Sequence, residues 1–289
     1  MTAAIYAARA NLKVAVVERQ ICGGLVNSTH EIENFPSYKS IHGMELMEKV
    51  QDQILELGVH VEQVAEIASL KLGNRLKTVE TDEFIYTAPA VILATGREPI
   101  RLTHLDECEQ VHYCSICDGP AYKGKRVIVI GGGNAGFDET LYLLSLGVQH
   151  ATIVEMMDNC AADQATQEEI AGRENTEVLT GTQVKEIQQP NGRLATASLE
   201  HIQEGGLDSV PVDGLFVFVG QRPNTEMFDG SVDLSPNGYI LADGDMKTNL
   251  PGVFAAGDVV EKKYRQITTA MSDGTIAALS AGAFLNEIK

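Results

Sequence analysis

The sequence predicts an α/β fold in which buried parallel strands alternate with helices. Three observations lead to this prediction. Apolar runs rich in Val and Ile recur along the chain, amphipathic stretches of helical length separate them, and 27 glycines in 289 residues supply many tight turns. Continuous apolar strands that alternate with helices are typical of parallel sheets covered on both faces.

Each element follows from its local pattern. The predicted strands are KVAVVE (13–18), AVILATG (90–96), RVIVIGGG (126–133), ATIVE (151–155), GLFVFVG (214–220) and GVFAAGD (252–258). The amphipathic pattern predicts helices over 2–11, 43–57, 134–146 and 265–286. Segments 59–86 and 176–213 alternate polar and apolar residues around the turn pairs GN (73–74) and NG (191–192), which predicts antiparallel inserts.

Composition and charge narrow the classes of function. The chain carries 22 basic and 40 acidic residues, a net charge of −18, so nucleic-acid binding is not expected. No apolar run reaches the roughly 18 residues that a membrane-spanning helix needs, and the N-terminal segment lacks the pattern of a signal peptide. Five cysteines are too few for a disulfide framework, so a reducing, cytoplasmic location is expected.

A glycine loop follows the third predicted strand. Gly131, Gly133 and Gly136 stand in G-x-G-x-x-G register between a strand and a helix, and Glu155 ends the next strand. The first glycine makes a tight turn, the second lets a pyrophosphate approach the backbone, and the third lets helix and strand pack closely. The acid can accept hydrogen bonds from a ribose. Together these features predict a dinucleotide site rather than a structural turn.

A close cysteine pair precedes this loop in the stretch HYCSICDGP (112–120). Cys114 and Cys117 can close a small reversible disulfide, and Asp118 follows directly. A metal site with Cys108 and His112 is the alternative, although its spacing fits no zinc module and no second Cys or His pair follows. Inert structural cysteines are the third possibility. We favour the redox interpretation.

With these motifs in place, the chain resembles the low-molecular-weight thioredoxin reductases. CSICDG matches the C-x-x-C-D motif of that family, and ENFP (33–36), ATG (94–96), GVFAAGD (252–258) and RQITTAMSDG (265–274) match its flavin-domain motifs in order. The resemblance implies two Rossmann-like three-layer dinucleotide-binding domains, the second inserted into the first. It places a FAD-binding domain at 1–108 plus 248–289 and an NAD(P)-binding domain with the cysteine pair at 109–247.

The resemblance also assigns residues to cofactors. For the nicotinamide coenzyme these are Gly131, Gly133, Asn134, Ala135, Gly136 and Glu155. For FAD they are Glu18, Gly23, Gly24, Asn34, Thr95, Gly96, Gly257, Asp258, Arg265, Gln266 and Ile267. It implies that electrons pass from the coenzyme through FAD to Cys117, that Cys114 then attacks a disulfide of the partner, and that Asp118 is the acid that protonates the departing thiolate. No metal is expected.

Two departures from the family modify these expectations. The family opens with a strand and a glycine loop for FAD, whereas this sequence starts at a segment that matches the following helix, so the 289-residue chain is expected to hold FAD substoichiometrically. The basic stretch that binds the 2′-phosphate of NADPH is replaced by VEMMDNCAADQ (154–164), which resembles the flavoprotein subunit of alkyl hydroperoxide reductase. NADH is therefore expected rather than NADPH.

The partner is expected to be thioredoxin or a thioredoxin-like dithiol protein, and the resemblance implies a homodimer. Two rival functions remain. One is a ferredoxin-dependent flavin thioredoxin reductase, against which the intact glycine triplet and Glu155 argue. The other is a nucleotide- or redox-sensing binding protein without catalytic turnover.

Overall fold

A computed structural model describes residues 1–105, 107–203, 205–228 and 230–288. The chain forms two compact units. The flanking unit consists of residues 1–98 and 222–289, and the inserted unit consists of residues 99–221. Among the described residues, no helix is both long enough and apolar enough to cross a membrane.

The helices of the described chain are α1 (Thr2–Arg9), α2 (Gly43–Glu56), α3 (Ser115–Asp118), α4 (Asn134–Ser145), α5 (Gln164–Ala171) and α6 (Ile267–Glu287). The strands are β1 (Ala15–Val17), β2 (His60–Glu62), β3 (Ile67–Lys71), β4 (Lys77–Thr81), β5 (Ile85–Ala88), β6 (Val91–Leu93), β7 (Arg97–Pro99), β8 (Val111–His112), β9 (Arg126–Ile130), β10 (His150–Val154), β11 (Thr176–Leu179), β12 (Thr182–Gln188), β13 (Thr196–His201), β14 (Leu207–Pro211), β15 (Gly214–Val217), β16 (Gln221–Pro223) and β17 (Val253–Ala255).

The inserted unit is built on a five-stranded parallel sheet in the order β11-β10-β9-β15-β8. Alternate residues of β9 enter different hydrophobic clusters. Val127 and Val129 pack with Phe137 of α4. Ile128 and Ile130 pack with the antiparallel sheet on the other side. Because side chains alternate across a strand, this pattern buries β9 on both faces and produces three layers.

Both antiparallel inserts predicted from the sequence are present. In the inserted unit the sheet runs β12-β13-β14, and in the flanking unit it runs β3-β4-β5. Asn191 and Gly192 both have positive φ, 60° and 75°, as expected for an Asn-Gly turn. The first strand of each predicted insert is the exception, because β2 and β11 instead pair in parallel with β1 and β10.

The flanking unit contains two parallel strand pairs, β1-β2 and β6-β17. Leu93 and Val253 of the second pair are buried in one cluster with Ile240 and Val259. Helix α1 packs against α6, where Gly274 of α6 leaves room for the close approach of the α1 backbone. The short helices α3 and α5 are not predicted by the amphipathic pattern.

The boundaries between the units differ from those expected from the sequence. They lie at 98/99 and 221/222, whereas the sequence placed them at 108/109 and 247/248. The segment 222–247 belongs to the flanking unit because Ile240 packs against Val253. The segment 99–108 belongs to the inserted unit because Leu105 is buried beside its central sheet.

Candidate functional site

The cysteine pair forms a disulfide at the start of α3. Cys114 is the N-cap residue, and its sulfur accepts a hydrogen bond from the backbone N–H of Cys117 at 3.2 Å. The two Cα atoms are 5.4 Å apart, within the usual range for a disulfide. Cys117 is exposed and Cys114 is half-buried. A single helical turn therefore holds the sulfurs in bonding position and leaves the bond accessible.

The other cysteines are free thiols. Cys22 and Cys108 are buried, and Cys160 is half-buried. Burial raises the pKa of each thiol, and nearby carboxylates raise it further. Because the thiolate is the nucleophile, a raised pKa makes these three cysteines poor partners for exchange. In the part of the chain that the structure describes, no cluster of three or more His, Cys, Asp or Glu side chains is arranged to bind a metal.

Asp118 is at the end of α3, directly after Cys117. Its Oδ2 is 3.3 Å from Nδ1 of His112, and Nε2 of His112 is 2.6 Å from the hydroxyl of Tyr122. The side chain of Asp118 is partly exposed, whereas that of His112 is mostly buried. The structure thus brings the predicted acid together with the disulfide. It adds His112, which the sequence offered only as a ligand of the alternative metal site, and Tyr122, which the sequence did not single out.

The three glycines of the loop have different surroundings. A Cβ on Gly131, where φ is +119°, would lie 2.4 Å from the carbonyl oxygen of Phe218. A Cβ on Gly136 would lie 1.9 Å from the oxygen of Gly131. Around Gly133 nothing lies within 4 Å of that position. Two glycines are therefore required by packing, and the third leaves the start of α4 open, which fits the approach of a phosphate.

Glu155 follows β10 and binds the backbone of the same loop. Its Oε2 accepts a hydrogen bond from the N–H of Gly132 at 2.6 Å, and its Oε1 accepts one from Met157 at 2.9 Å. Asn134, the first residue of α4, exchanges two hydrogen bonds with Asp163. These contacts fold the segment 156–163 back onto the glycine loop. Ala135 follows Asn134 at the exposed start of α4.

In the flanking unit, two predicted residues keep buried polar atoms without a hydrogen-bond partner. These are Oδ1 of Asp258 and Nε of Arg265. Gly257, with φ +81°, begins a 3-10 helix directly after β17, and its N–H donates to Asp273 at 3.1 Å. Oδ1 of Asp258 lies 3.9 Å from Nζ of Lys262, an ion pair beyond hydrogen-bond distance. Because buried polar atoms normally have hydrogen-bond partners, these two atoms fit a polar group of a bound cofactor.

Several of the other predicted residues of the flanking unit form hydrogen-bonded pairs. Nδ2 of Asn34 is 3.3 Å from Oε1 of Gln266, and Gln266 caps α6 just before Ile267. Asn224 makes three hydrogen bonds to the loop after β6. Its backbone oxygen accepts from the hydroxyl of Thr95 at 2.7 Å. Its side-chain amide donates to the backbone oxygen of Thr95 at 2.9 Å, and its backbone N–H donates to the backbone oxygen of Gly96 at 3.0 Å.

Glu18 lies after β1, where its Oε1 accepts from the backbone of Gln20 at 2.9 Å. Gly23 and Gly24 both have positive φ, and the space around Gly24 is open. The nearby Val64 is a β-branched residue with φ +59° and is highly exposed. Such a backbone conformation is strained for valine. Nothing in the local sequence predicts the positive φ of Val64.

Asn224 and Asp273 were also missed. Asp273 accepts from Lys262 at 2.6 Å and from the N–H of Gly257, so it fixes the turn after β17. The sequence signal for Asp273 is its place in the motif RQITTAMSDG, in which the resemblance implies a FAD contact only for Arg265, Gln266 and Ile267. Asn224 follows β16 and has no signal beyond being a polar residue after a strand.

Taken together, the fold and this site define a protein with Rossmann-like dinucleotide-binding units and a disulfide in a C-x-x-C-D motif. The family described as "Pyridine nucleotide-disulphide oxidoreductase" matches residues 1–274, and the chain belongs to this family. Membership implies FAD and a nicotinamide coenzyme, and it makes the protein a flavoprotein disulfide oxidoreductase. The family resemblance and the fold class inferred from the sequence are confirmed.

Individual relatives agree over the whole chain. A thioredoxin reductase of Listeria monocytogenes is 36% identical, with 100% of this chain and 91% of that protein covered. A "34.2 kDa protein in rubredoxin operon" of Clostridium pasteurianum is 37% identical, with 99% and 93% covered. The crystal structure of Lactococcus lactis thioredoxin reductase has 32% identity and a TM-score of 0.92, with 99% of this chain and 95% of that chain covered.

Proposed function

We propose that this protein transfers electrons from NADH through FAD to the Cys114–Cys117 disulfide, and from there to thioredoxin or a thioredoxin-like dithiol protein. The disulfide at the start of α3 is the observation that carries the proposal, because a reversible disulfide next to an acid is the group that such a reaction needs. The relatives named as thioredoxin reductases support the choice of acceptor. We further propose that the enzyme works as a cytoplasmic homodimer.

The flanking unit is assigned to FAD and the inserted unit to the nicotinamide coenzyme. In the flanking unit, Asp258 and Arg265 offer buried polar atoms without a hydrogen-bond partner, and Glu18, directly after β1, offers a carboxylate for a ribose. In the inserted unit, the open face of Gly133 and the N–H groups of the first turn of α4 suit a pyrophosphate. When bound, FAD supplies the redox chemistry that links a two-electron hydride donor to a disulfide.

The remaining chemistry belongs to the chain itself. Cys117 is the more exposed of the two cysteines and is assigned to receive the electrons. Cys114 is assigned to attack the disulfide of the partner as a thiolate, since the thiolate is the nucleophile in exchange. Asp118 is close enough in sequence to protonate the departing sulfur and later to take the proton back.

The preference for NADH rests on Glu155. A 2′-phosphate beside this carboxylate would meet a like charge, and like-charge juxtaposition costs on the order of several kcal/mol. The segment 156–164 contains no Arg, Lys or His and adds two acids. We therefore expect at least about a hundredfold preference for NADH over NADPH in catalytic efficiency.

The test is an anaerobic titration of the purified protein after incubation with excess FAD and removal of unbound FAD, followed by its visible spectrum. Bleaching by NADH, with a much weaker response to NADPH, supports the proposal. Efficiency with NADPH equal to that with NADH would overturn the coenzyme assignment. Flavin that neither coenzyme bleaches would favour the ferredoxin-dependent alternative, and a protein that binds no flavin would favour the sensor.

A double variant sharpens the coenzyme test. Glu155→Ala combined with Met156→Arg removes the acid and supplies a cation for the 2′-phosphate, so it should narrow the gap between the coenzymes by tenfold or more. Glu177→Ala, an exposed acid on β11 of the same unit, is the matched control and should leave the ratio unchanged.

A further inference from the structure

A hydrogen-bonded chain of three side chains lies next to the disulfide. His112 of β8 occupies its middle, with Asp118 on its Nδ1 at 3.3 Å and Tyr122 on its Nε2 at 2.6 Å. The side chain of His112 is only 14% exposed. Asp118 is adjacent to Cys117 in the sequence, so the chain ends at the group assigned to proton transfer.

The protonation states follow from burial. Burial lowers the pKa of His112, although Asp118 opposes the change, so the imidazole is neutral at pH 7. Burial first, and then the charge of Asp118, raise the pKa of Tyr122 to about 12, so its hydroxyl keeps its proton. The thiol of Cys108 and the carboxylate of Asp213 contribute to the same rise.

A neutral imidazole has one donor and one acceptor nitrogen. If Nε2 carried the proton, Nδ1 would turn a lone pair toward the carboxylate of Asp118, which is unfavourable. The favourable arrangement has Tyr122 donating to Nε2 and Nδ1–H donating to Asp118.

Neighbouring residues hold the three hydrogen-bonded side chains in place. The ring of Phe216 lies 5.2 Å from that of His112 and 5.3 Å from that of Tyr122. The Tyr122 ring fills the position that a Cβ on Gly214 would occupy, at 2.2 Å. Nζ of Lys125 also contacts Tyr122, at 4.8 Å from the centroid of its ring. The imidazole therefore has little freedom to turn away from Asp118.

We propose that His112 is a positioning residue that holds Asp118 for proton transfer to the redox disulfide, with Tyr122 fixing the imidazole tautomer. The inference rests on the proposed function. Reduction of the disulfide breaks the S–S bond with two electrons supplied through the flavin and leaves two thiolate sulfurs. The Asp118 carboxylate takes up a proton from solvent water and passes it to one thiolate, and the carboxylate that remains again accepts the hydrogen bond from Nδ1–H of His112.

The first test is NMR spectroscopy of the purified protein labelled with ¹⁵N-histidine, which needs no turnover. The His112→Gln variant identifies the His112 signals among the seven histidines. We expect a neutral Nδ1–H tautomer at pH 7. In Asp118→Asn the pKa of His112 should fall further, because the carboxylate that opposes the effect of burial is gone. An Nε2–H tautomer, or a His112 titration unaffected by Asp118→Asn, would overturn the proposal.

The second test compares two variants in thioredoxin reduction. Gln can donate to Asp118 and accept from Tyr122, so His112→Gln should keep most of the wild-type kcat at pH 7. His112→Phe removes the donor and should lower kcat about tenfold. The wild-type profile should also show an acidic inflection that the Gln variant lacks, because protonated His112 stabilises the carboxylate of Asp118 and so hinders its uptake of the proton that it passes on, whereas an amide does not titrate.

His201→Gln is the matched control, since His201 also contacts a carboxylate, that of Asp208 at 2.8 Å, on an exposed part of the same unit. Its kcat and pH profile should equal those of the wild type. Equal rates for His112→Phe and wild type, or equal losses in the Phe and Gln variants, would refute the role of His112. A wild-type protein that does not reduce thioredoxin would refute the proposed function, and the NMR result would still decide the tautomer.

Discussion

The glycine loop and the disulfide helix lie in the same unit but depend on the sequence in different ways. In the loop, each glycine has a local reason: Gly131 and Gly136 are forced by backbone contacts within the loop and the adjacent strand, and Gly133 is left open. At the disulfide, only the cysteines and Asp118 are contiguous. Their supporting residues, His112 and Tyr122, come from β8 and from the 3-10 helix Gly119–Tyr122 that follows α3.

This comparison shows why one site is easier to identify than the other. A phosphate-binding loop binds through backbone N–H groups that must be approached closely, so it is visible in the sequence as glycines at fixed spacing. A proton-transfer site is made of side chains held by other side chains. The two regions meet where Glu139 of α4 lies beside Ser115 of α3.

The largest expected effect comes from breaking the disulfide. Cys114→Ser and Cys117→Ser should each abolish reduction of thioredoxin, because neither variant can form the disulfide. Electron flow from NADH to an artificial acceptor such as ferricyanide should continue, since it does not require the cysteines. Steady-state assays with both acceptors measure this.

Cys160→Ser is the control for the cysteine variants. This thiol is free, and its pKa is raised by burial and by Glu155. Its replacement should leave thioredoxin reduction unchanged. If either Cys114→Ser or Cys117→Ser reduced thioredoxin at the wild-type rate, the disulfide would have no place in the reaction.

Two Gly→Ala substitutions distinguish the packing positions of the glycine loop from its binding position. Gly136→Ala places a methyl group 1.9 Å from a backbone oxygen. This overpacking should lower the unfolding free energy by about 3 kcal/mol, which outweighs the stabilisation that alanine gives a helix relative to glycine. Gly133→Ala meets nothing within 4 Å and should change stability by less than about 0.5 kcal/mol.

For NADH binding, the substitution that hardly affects stability should have the clear effect. Gly133→Ala should weaken NADH binding roughly tenfold, since each factor of ten needs only about 1.4 kcal/mol of lost contact. Urea unfolding and isothermal titration separate the two quantities. Equal destabilisation by both substitutions would contradict the division of the loop into packing and binding positions.

The last effect concerns the place where the two regions meet, and it should leave activity at pH 7 unchanged. Burial raises the pKa of Glu139 to about 7, and Asp138 adds to the rise while the nearby Ser115 opposes it. The folded pKa lies above the ordinary 4.5 of the unfolded chain. The favourable contribution of the neutral carboxyl is therefore complete below about pH 4.5 and is lost as pH rises through about 7.

Glu139→Gln should consequently gain stability relative to wild type as pH increases from 5 to 8. The limit is on the order of 3 kcal/mol, from about 2.5 pKa units at 1.36 kcal/mol each. Melting temperatures across this range measure the gain. Glu174→Gln, an exposed acid of the same unit, should show no such trend, and a constant offset for Glu139→Gln would mean that its carboxyl is not desolvated.

Much of the fold was accessible from the sequence because the central strands β9, β10 and β15 are continuous apolar runs. The predicted strand ends were too long, since glycine loops follow the strands and extend the apolar pattern past the last ladder hydrogen bond. The boundaries of the compact units differ from those expected, because segment 222–247 has no long helix or strand to mark its unit. Its membership depends on Ile240 and Phe228 packing against β17 and β6, which no local pattern reveals.

The sequence by itself determined the α/β class, the glycine loop, the C-x-x-C-D pair and the membership of the family. Each of these depends on residues close together in the chain, whose spacing already fixes a turn, a helix or a bond. Only the tertiary structure decided what surrounds them. The contact of His112 with Asp118 and Tyr122 required β8 and the turns after α3 to meet beside Phe216, and the bonding of Glu155 to the glycine loop required β10 to pair with β9. Such contacts depend on how separate elements pack.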